Sequence, residues 1–374
     1  MIGISREAIL NWIAGAGLSP DQMRELLREE EPESVWERFQ KTGALIPEKK
    51  LAVRTEKALR AGADGKVIAA NRERIERLGI RAVTCSDSQY PARLRDLPDA
   101  PAVLFYQGNP EVLKNSTVSI VGSRSAGYKG LEATRKIAEN LSRAGITVIS
   151  GLAYGIDAAA HQGCLKGGSP TVAVLGCGLD QEYPAENAPL RRRMIEAGGL
   201  VISEHPLGDK PLGWHFPWRN RIVSGLGDCL VLMEARIRSG SMTTVQHALN
   251  QGKDVFVYPG EADSPRCEGN HQLLREGAIY FTTAEDLMED MGWLDKLPDV
   301  GHNNESSAQS GAQLSAAERL VMNQLDKGEL GFEQLCDRTN LPAAMLSATI
   351  SMLQIRGLIR LLPGKRYESV TEKH

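Results

Sequence analysis

Two arginines lie two positions apart in a short segment that also carries an amide and aromatic rings. The segment covers residues 215–226 and contains Arg219, Asn220 and Arg221, with Phe216 just before them. A guanidinium group binds a phosphate through two parallel hydrogen bonds, and an aromatic ring offers a stacking face to any nucleobase. The segment therefore predicts binding of a phosphate or of a nucleic acid.

Residues of these types have other uses, and two alternatives remain open. The two arginines could instead form ion pairs with nearby acids such as Glu204 and Glu234. A second candidate segment, residues 238–244, contains Ser241 and opens a helical pattern. Its hydroxyl groups suit a phosphate, but serine and threonine at the start of a helix serve most often as N-caps.

A glycine-rich loop is the third candidate. The apolar run Thr117–Val121 is followed by Gly122, Ser123 and Arg124, and then by a helical pattern. Such a loop leaves backbone N–H groups free at the positive end of the next helix, and Arg124 could add a charge-assisted contact to the same phosphate. The full glycine spacing of a dinucleotide-binding loop is missing, so a glycine that only permits a tight turn is the alternative.

These three segments lie in a regular alternation of strands and helices. The alternation predicts an α/β fold with an extended Rossmann-like, doubly wound parallel sheet. Ligands of such sheets bind outside the carboxyl ends of the strands, so the glycine turns at residues 122, 151, 176 and 240 should lie on one rim. The predicted strands are 82–84, 101–106, 117–121, 146–149, 171–175, 200–203, 229–233, 254–258 and 278–281.

Composition restricts the functional classes. The chain has 374 residues, of which 42% are hydrophobic and 24% charged, and its net charge is −3. These values are typical of a soluble protein and exclude nucleic-acid binding through overall charge. No segment reaches membrane-spanning length and no leader pattern is evident, so we expect no membrane partner and a cytoplasmic location. The scattered cysteines lack the spacing of a metal site, which predicts free thiols and neither metal nor cofactor.

The chain divides into four regions by pattern. Residues 1–70 predict a helical domain resembling SAM or helix-hairpin-helix modules, with a capping box that starts at Ser19. Residues 71–295 carry the strand–helix alternation, and residues 296–313 have the polar composition of a flexible linker. Residues 314–374 predict three helices and a hairpin, the pattern of a winged-helix domain.

The predicted winged helix has two possible uses, contact with DNA and contact with protein. DNA contact would use the third helix and the wing. Basic and acidic residues are nearly balanced from Leu314 to His374, whereas a DNA reader normally has a basic excess. Both uses therefore remain open. The cations concerned are Arg356, Arg360, Lys365 and Arg366.

The order of motifs from about residue 71 to residue 293 resembles the DNA-processing protein A family, also called Smf. One departure is Tyr128, which stands one place earlier than the family's usual Tyr-Gly pair and leaves the geometry of its loop open. The matching motifs are Val121–Arg124, Ser150–His161, Ala173–Asp180, Tyr183–Pro184, Ser203–Glu204, Phe216–Arg221, Glu234–Ala235, Ser239–Ser241 and Tyr258–Gly260.

This resemblance implies a DNA-binding protein without catalytic activity. Members of the family bind and protect single-stranded DNA that enters a bacterial cell, load the recombinase RecA onto it during natural transformation, and form homodimers through the Rossmann-like domain. The same functions are expected of this chain. The implied DNA-binding residues are Gly122, Ser123, Arg124, Lys210, Phe216, Arg219, Asn220, Arg221 and Ser241.

An enzyme is the alternative from another class. The fold also resembles nucleotide-processing Rossmann proteins such as phosphoribohydrolases, for which Asp157, His161, Asp180 and Glu204 would be the candidate acids and bases. The Pro-Gly-Gly-x-Gly-Thr run of that group is replaced here by residues 239–243, and no acid follows in the next helix. Asp157 and His161 are four residues apart, which also suits a simple local pair on a helix.

Overall fold

The computed structural model describes residues 4–46, 51–293, 316–325, 328–339, 341, 345–346, 349–350, 353, 358–362 and 366–369. The chain divides into two compact units, residues 1–300 and 301–374. Among the helices of the described residues, we find none with the length and apolar character needed to cross a membrane.

Five helices open the first unit. The predicted capping box at the start of the second helix is confirmed, because Ser19 and Gln22 each accept the backbone N–H of the other. Helix α5 runs through residues 70 and 71, where the sequence pattern placed a domain boundary. The helices are α1 Arg6–Ala14, α2 Pro20–Glu29, α3 Pro32–Thr42, α4 Val53–Gly62 and α5 Gly65–Leu78.

Aromatic packing holds these helices together. The ring of Trp12 lies edge-on to Trp36 and Phe39, with centroid distances of 4.9 Å in both cases. Its indole N–H donates to the carbonyl oxygen of Leu59 at 2.9 Å, so this buried polar group is satisfied. The apolar core around Trp12 continues into the sheet through residues such as Phe105, and the helices therefore share one core with the sheet.

A nine-stranded sheet forms the centre of the first unit, in the order β1-β2-β6-β5-β4-β3-β7-β8-β9. The strands from β6 to β9 in this order are parallel, whereas β1 and β2 pair antiparallel at one edge. The predicted doubly wound sheet is confirmed. The strands are β1 Arg81–Thr84, β2 Val103–Gly108, β3 Thr117–Val121, β4 Thr147–Ser150, β5 Val172–Leu175, β6 Leu200–Ser203, β7 Cys229–Leu232, β8 Asp254–Val257 and β9 Ile279–Tyr280.

The direction of winding reverses between β3 and β7, which are neighbours in the sheet. From β3 the chain proceeds to β4, β5 and β6 on one side, and from β7 it proceeds to β8 and β9 on the other. Loops diverge at such a point and leave a crevice beyond the carboxyl ends of the two strands. The helices of this part are α6 Ala92–Arg95, α7 Tyr128–Arg143, α8 Ile156–Gly167, α9 Ala188–Glu196, α10 His215–Leu226, α11 Gly240–Asn250, α12 Glu268–Arg275 and α13 Ala284–Asp290.

The second unit is a winged-helix domain. Its core contains Val321, Leu335 and Ile359, together with Leu346 and Leu353 of the predicted third helix. The linker 296–313, the wing turn 363–365 and most of the third helix lie outside the described residues. The elements are α14 Ala316–Leu325, β10 Leu330–Gly331, α15 Phe332–Thr339, β11 Ile359–Leu362 and β12 Arg366–Ser369, with strand order β10-β12-β11.

Candidate nucleic-acid interface

A cleft of about 590 Å³ lies at the point where the winding reverses, beyond the carboxyl ends of β3 and β7. We call it the rim cleft. Its walls are the loop after β3, the loop after β4, and the first turns of α10 and α11. Of the predicted site residues, Lys210 and Arg221 do not line it. Those that do are Gly122, Ser123, Arg124, Phe216, Arg219, Asn220 and Ser241.

The loop after β3 is held rigidly between two neighbouring elements. The N–H of Ser123 donates to the carbonyl oxygen of Glu234 at 2.7 Å, and the N–H of Ile156 donates to the carbonyl oxygen of Ser123 at 3.2 Å. A Cβ atom at Gly122 would lie 2.6 Å from the Ile156 side chain, so only glycine fits there. The sequence motif therefore encodes close packing as well as a turn.

Arg124 is the exposed cation of the rim cleft. Its guanidinium carbon lies 5.2 Å from the ring centroid of Phe216, a cation–π contact. Among the described residues it forms no hydrogen bond or ion pair. A guanidinium group with open donors above an aromatic ring is suited to a phosphate with a base beside it.

The start of α7 differs from the sequence prediction. The glycine loop predicted free N–H groups for a phosphate, but the N–H of Gly127 lies 3.1 Å from both carboxylate oxygens of Glu234 and donates to them. Burial raises the pKa of this carboxyl group above its ordinary value, which these hydrogen bonds oppose. The N–H group of Gly127 is therefore not free for a phosphate, because the protein's own carboxylate is bound at this helix start.

The start of α11 is open instead. Ser239 precedes the helix but does not cap it, and its hydroxyl oxygen is buried without a partner among the described residues. Asn220 donates to the carbonyl oxygen of Gly240 at 3.2 Å and to the hydroxyl of Thr243 at 3.1 Å, which ties α10 to the start of α11. The positive end of α11 thus borders the cleft, and no carboxylate of the described residues caps it.

Arg219 forms the floor of the rim cleft. It is 4% exposed and donates to the carbonyl oxygens of Gly151, at 2.8 Å, and Val174. Burial lowers the pKa of Arg219 to about 10, so it remains charged at neutral pH, and the nearby carboxylate of Asp157 favours the charged form. Its Nε–H is buried without a partner among the described residues.

Arg221 points away from the rim cleft and is 1% exposed. Its guanidinium group donates two hydrogen bonds of 2.7 Å to the carboxylate of Glu204 and stacks 4.2 Å from the ring centroid of Trp218. The ion-pair alternative is thus realised between Arg221 and Glu204. It is not realised between Arg219 and Glu234, because Arg219 is bound to backbone carbonyls.

Two of the candidate acids and bases of the enzyme alternative, Asp157 and His161, are buried and hydrogen-bonded within the protein. Asp157 accepts the N–H groups of Gly151 and Ala153, at 3.1 and 3.3 Å, and burial raises its pKa. His161 contacts the hydroxyl of Thr171 at 2.8 Å, and burial lowers its pKa to about 3, so the ring is neutral. The expected local pair of Asp157 and His161 is therefore not formed.

Ser239 lies in the predicted segment 238–244, and its hydroxyl group is buried without a partner among the described residues. One exposed aromatic residue beside the site was missed from the sequence. Trp214, just before α10, is 66% exposed, and its isolated position in a glycine- and proline-rich loop was a signal for surface exposure.

Lys210, a predicted site residue, is also exposed and immediately precedes Pro211, which lines the cleft.

Family models match both units of the chain. The model described as DNA recombination-mediator protein A matches residues 81–292, and the model described as DprA winged helix domain matches residues 305–365. The first match covers more than half of the chain and includes the whole rim cleft. The chain belongs to the DNA-processing protein A family.

Individual members of the DNA-processing protein A family agree with this assignment. Protein Smf of Escherichia coli is 36% identical over 281 residues, which cover 75% of each chain. The X-ray structure of DNA processing protein A from Streptococcus pneumoniae has a TM-score of 0.64 at 32% identity and covers 77% of this chain and 99% of its own. A structure of the Helicobacter pylori protein, solved for its single-stranded DNA binding mode, has a TM-score of 0.52 at 26% identity and covers 57% of this chain and 95% of its own.

Proposed function

We propose that this protein binds single-stranded DNA along the rim cleft. The observation that carries the proposal is Arg124, an exposed guanidinium group without a hydrogen-bond partner among the described residues, stacked on Phe216 at the mouth of the cleft. Membership of the DNA-processing protein A family supports the same function, as does the Helicobacter pylori relative, which binds single-stranded DNA.

The strand would meet two phosphate positions in the cleft. One is formed by Arg124, with Lys210 as a second exposed cation, next to the backbone of Gly122 and Ser123. The other is the open start of α11, with Ser241. In this arrangement Asn220 positions α11 and Phe216 stacks on a base. Arg219 contributes positive charge from the floor, whereas Arg221 acts through the position of Trp218.

Single strands should bind more tightly than duplexes, and with little sequence preference. An aromatic face can receive only an unstacked base, and cations with backbone amides do not read base edges. The experiment is fluorescence anisotropy with labelled oligothymidine, competed by a mixed-sequence single strand and by its duplex. We expect the mixed single strand to compete within a few-fold of oligothymidine and the duplex roughly tenfold or more weakly. Equal competition by the duplex would contradict the proposal.

The proposed role of this binding is to protect DNA that enters the cytoplasm and to load RecA onto it in natural transformation. We also propose a homodimer built by the Rossmann-like domain. Family membership supports both statements. Light scattering of the full chain should give twice the monomer mass, and RecA should assemble faster on oligothymidine that carries this protein. A monomer at micromolar concentration would contradict the dimer, and an unchanged rate of RecA assembly would contradict loading.

A further inference from the structure

Three side chains with metal-ligating atoms meet in the loop between β6 and α10, outside the rim cleft. The ligand atoms of His205, Asp209 and His215 all lie within 4.8 Å of one another. One oxygen of Asp209 lies 2.8 Å from Nδ1 of His205 and 3.9 Å from Nε2 of His215. Two ligands of one tetrahedral ion, at bond lengths of about 2.1 Å, stand roughly 3.4 Å apart. Each of the two contacts of Asp209 therefore differs by only about half an ångström from that spacing, and the ligating nitrogens of the two histidines lie within 4.8 Å of each other.

The hydrogen bonds around His215 fix its tautomer. Its Nδ1 lies 3.1 Å from the carbonyl oxygen of Gly176, which can only accept, so Nδ1 carries the proton. Nε2 of the same ring is the nitrogen on the side of Asp209, 3.9 Å from its oxygen. An N–H bound to a backbone carbonyl is the usual outer partner of a metal-ligating histidine.

His205 lies against His215 and contacts the same carboxylate group of Asp209. Its ring is 7% exposed and stacks on His215 with a centroid distance of 4.0 Å. Its Nδ1 is the nitrogen next to Asp209, whereas its Nε2 is buried without a partner among the described residues.

We propose that His205, Asp209 and His215 bind one divalent transition-metal ion of the zinc type. Two imidazoles and one carboxylate suit Zn²⁺ and Co²⁺ better than Mg²⁺ or Ca²⁺, which prefer oxygen ligands. Three protein ligands leave a fourth position for water, and the cluster borders a cleft of about 1060 Å³ that supplies it. The ion would tie the loop after β6 to the first residue of α10.

Metal affinity tests this proposal without any use of DNA. Untagged full-length protein, freed of metal with a chelator, is titrated with Zn²⁺ against a chromogenic chelator. We expect one equivalent to bind the wild type, and a loss of affinity of roughly 100-fold or more in His215→Gln and in Asp209→Asn. The matched control is His247→Gln, because His247 lines the same cleft but is not one of the three ligands. Its affinity should equal that of the wild type.

Co²⁺ provides an independent readout of the ligand set. Bound Co²⁺ should give visible absorption of a four-coordinate site in the wild type and in His247→Gln, and none in Asp209→Asn. Circular dichroism confirms that each variant is folded. Binding of less than one equivalent, equal affinity in all variants, or a sulfur-to-cobalt band that places the ion on a cysteine would each overturn the proposal.

Discussion

Replacement of Arg221 by methionine should lower the free energy of unfolding by about 3–5 kcal/mol. Arg221 is 1% exposed, and both of its hydrogen bonds to Glu204 measure 2.7 Å. Without the guanidinium group, the carboxylate of Glu204 is left in a place where its side chain is only 14% exposed. Equilibrium urea denaturation, followed by circular dichroism, measures the change.

Two control variants distinguish the stability contribution of this buried ion pair from that of an exposed ion pair. The double variant Arg221→Met with Glu204→Gln removes both charges of this pair and should recover part of the loss, because Asp99, whose carboxylate lies 3.5 Å from Nε of Arg221, still loses its ion pair. Arg192→Met removes an arginine whose side chain is 60% exposed and pairs with Glu182 at 3.3 Å, so it should cost less than about 1 kcal/mol. If Arg221→Met is as stable as the wild type but binds DNA poorly, Arg221 is a DNA ligand and the structural account is wrong.

Replacement of Arg124 by alanine should weaken binding of oligothymidine by roughly 10- to 100-fold, because a hydrogen bond to a charged group contributes about 1.5–3 kcal/mol. Stability should hardly change, since Arg124 is exposed and its guanidinium group forms no hydrogen bond or ion pair with the part of the chain that the structure describes. The matched control is Arg143→Ala. Arg143 lies at the last residue of α7, at the opposite end of that helix from the loop of Arg124.

The variant Arg124→Lys separates the effect of the positive charge from that of the planar guanidinium group. Lysine keeps the charge but not the planar fork or its stacking, so we expect an affinity between those of the wild type and Arg124→Ala. Fluorescence anisotropy at constant salt measures all three variants. An effect of Arg143→Ala as large as that of Arg124→Ala would mean that overall charge, and not the rim cleft, determines binding.

The sheet could be predicted from sequence because its strands are continuous apolar runs separated by glycine turns. Strands such as Thr117–Val121 and Leu200–Ser203 begin and end where the pattern placed them, since a strand buried on both faces admits few polar residues. The position of the site could be predicted from the fold, because the carboxyl ends of parallel strands share one edge of the sheet. Seven of the predicted site residues line one cleft for this reason.

The roles of individual side chains could not be predicted in the same way. Glu204 and Glu234 were both recognised as possible partners of the arginines, but only the pair of Arg221 and Glu204 forms. Glu234 accepts from Gly127 instead, a contact between residues 107 positions apart. Local sequence does not determine which of several acids a buried cation meets, because that choice depends on how distant elements pack.

The cluster of His205, Asp209 and His215 could not be predicted from local sequence either. Its members are four and six residues apart along an irregular loop, a spacing that matches no familiar metal motif. Only the path of the loop from β6 to α10 brings the three side chains together. The prediction of no metal site rested on the spacing of the cysteines, which carries no information about two histidines and a carboxylate.

The salt dependence of DNA binding tests the central proposal most directly. Anisotropy titrations with oligothymidine across a salt series give the slope of log affinity against log salt concentration. Each phosphate contact contributes about 0.7 to this slope for a single strand, so Arg124→Ala should reduce its magnitude by about 0.7, and Arg124→Ala with Lys210→Ala by about 1.4. Arg143→Ala should leave the slope unchanged. If the double variant, folded by circular dichroism, keeps the affinity and slope of the wild type, the rim cleft is not the DNA-binding site.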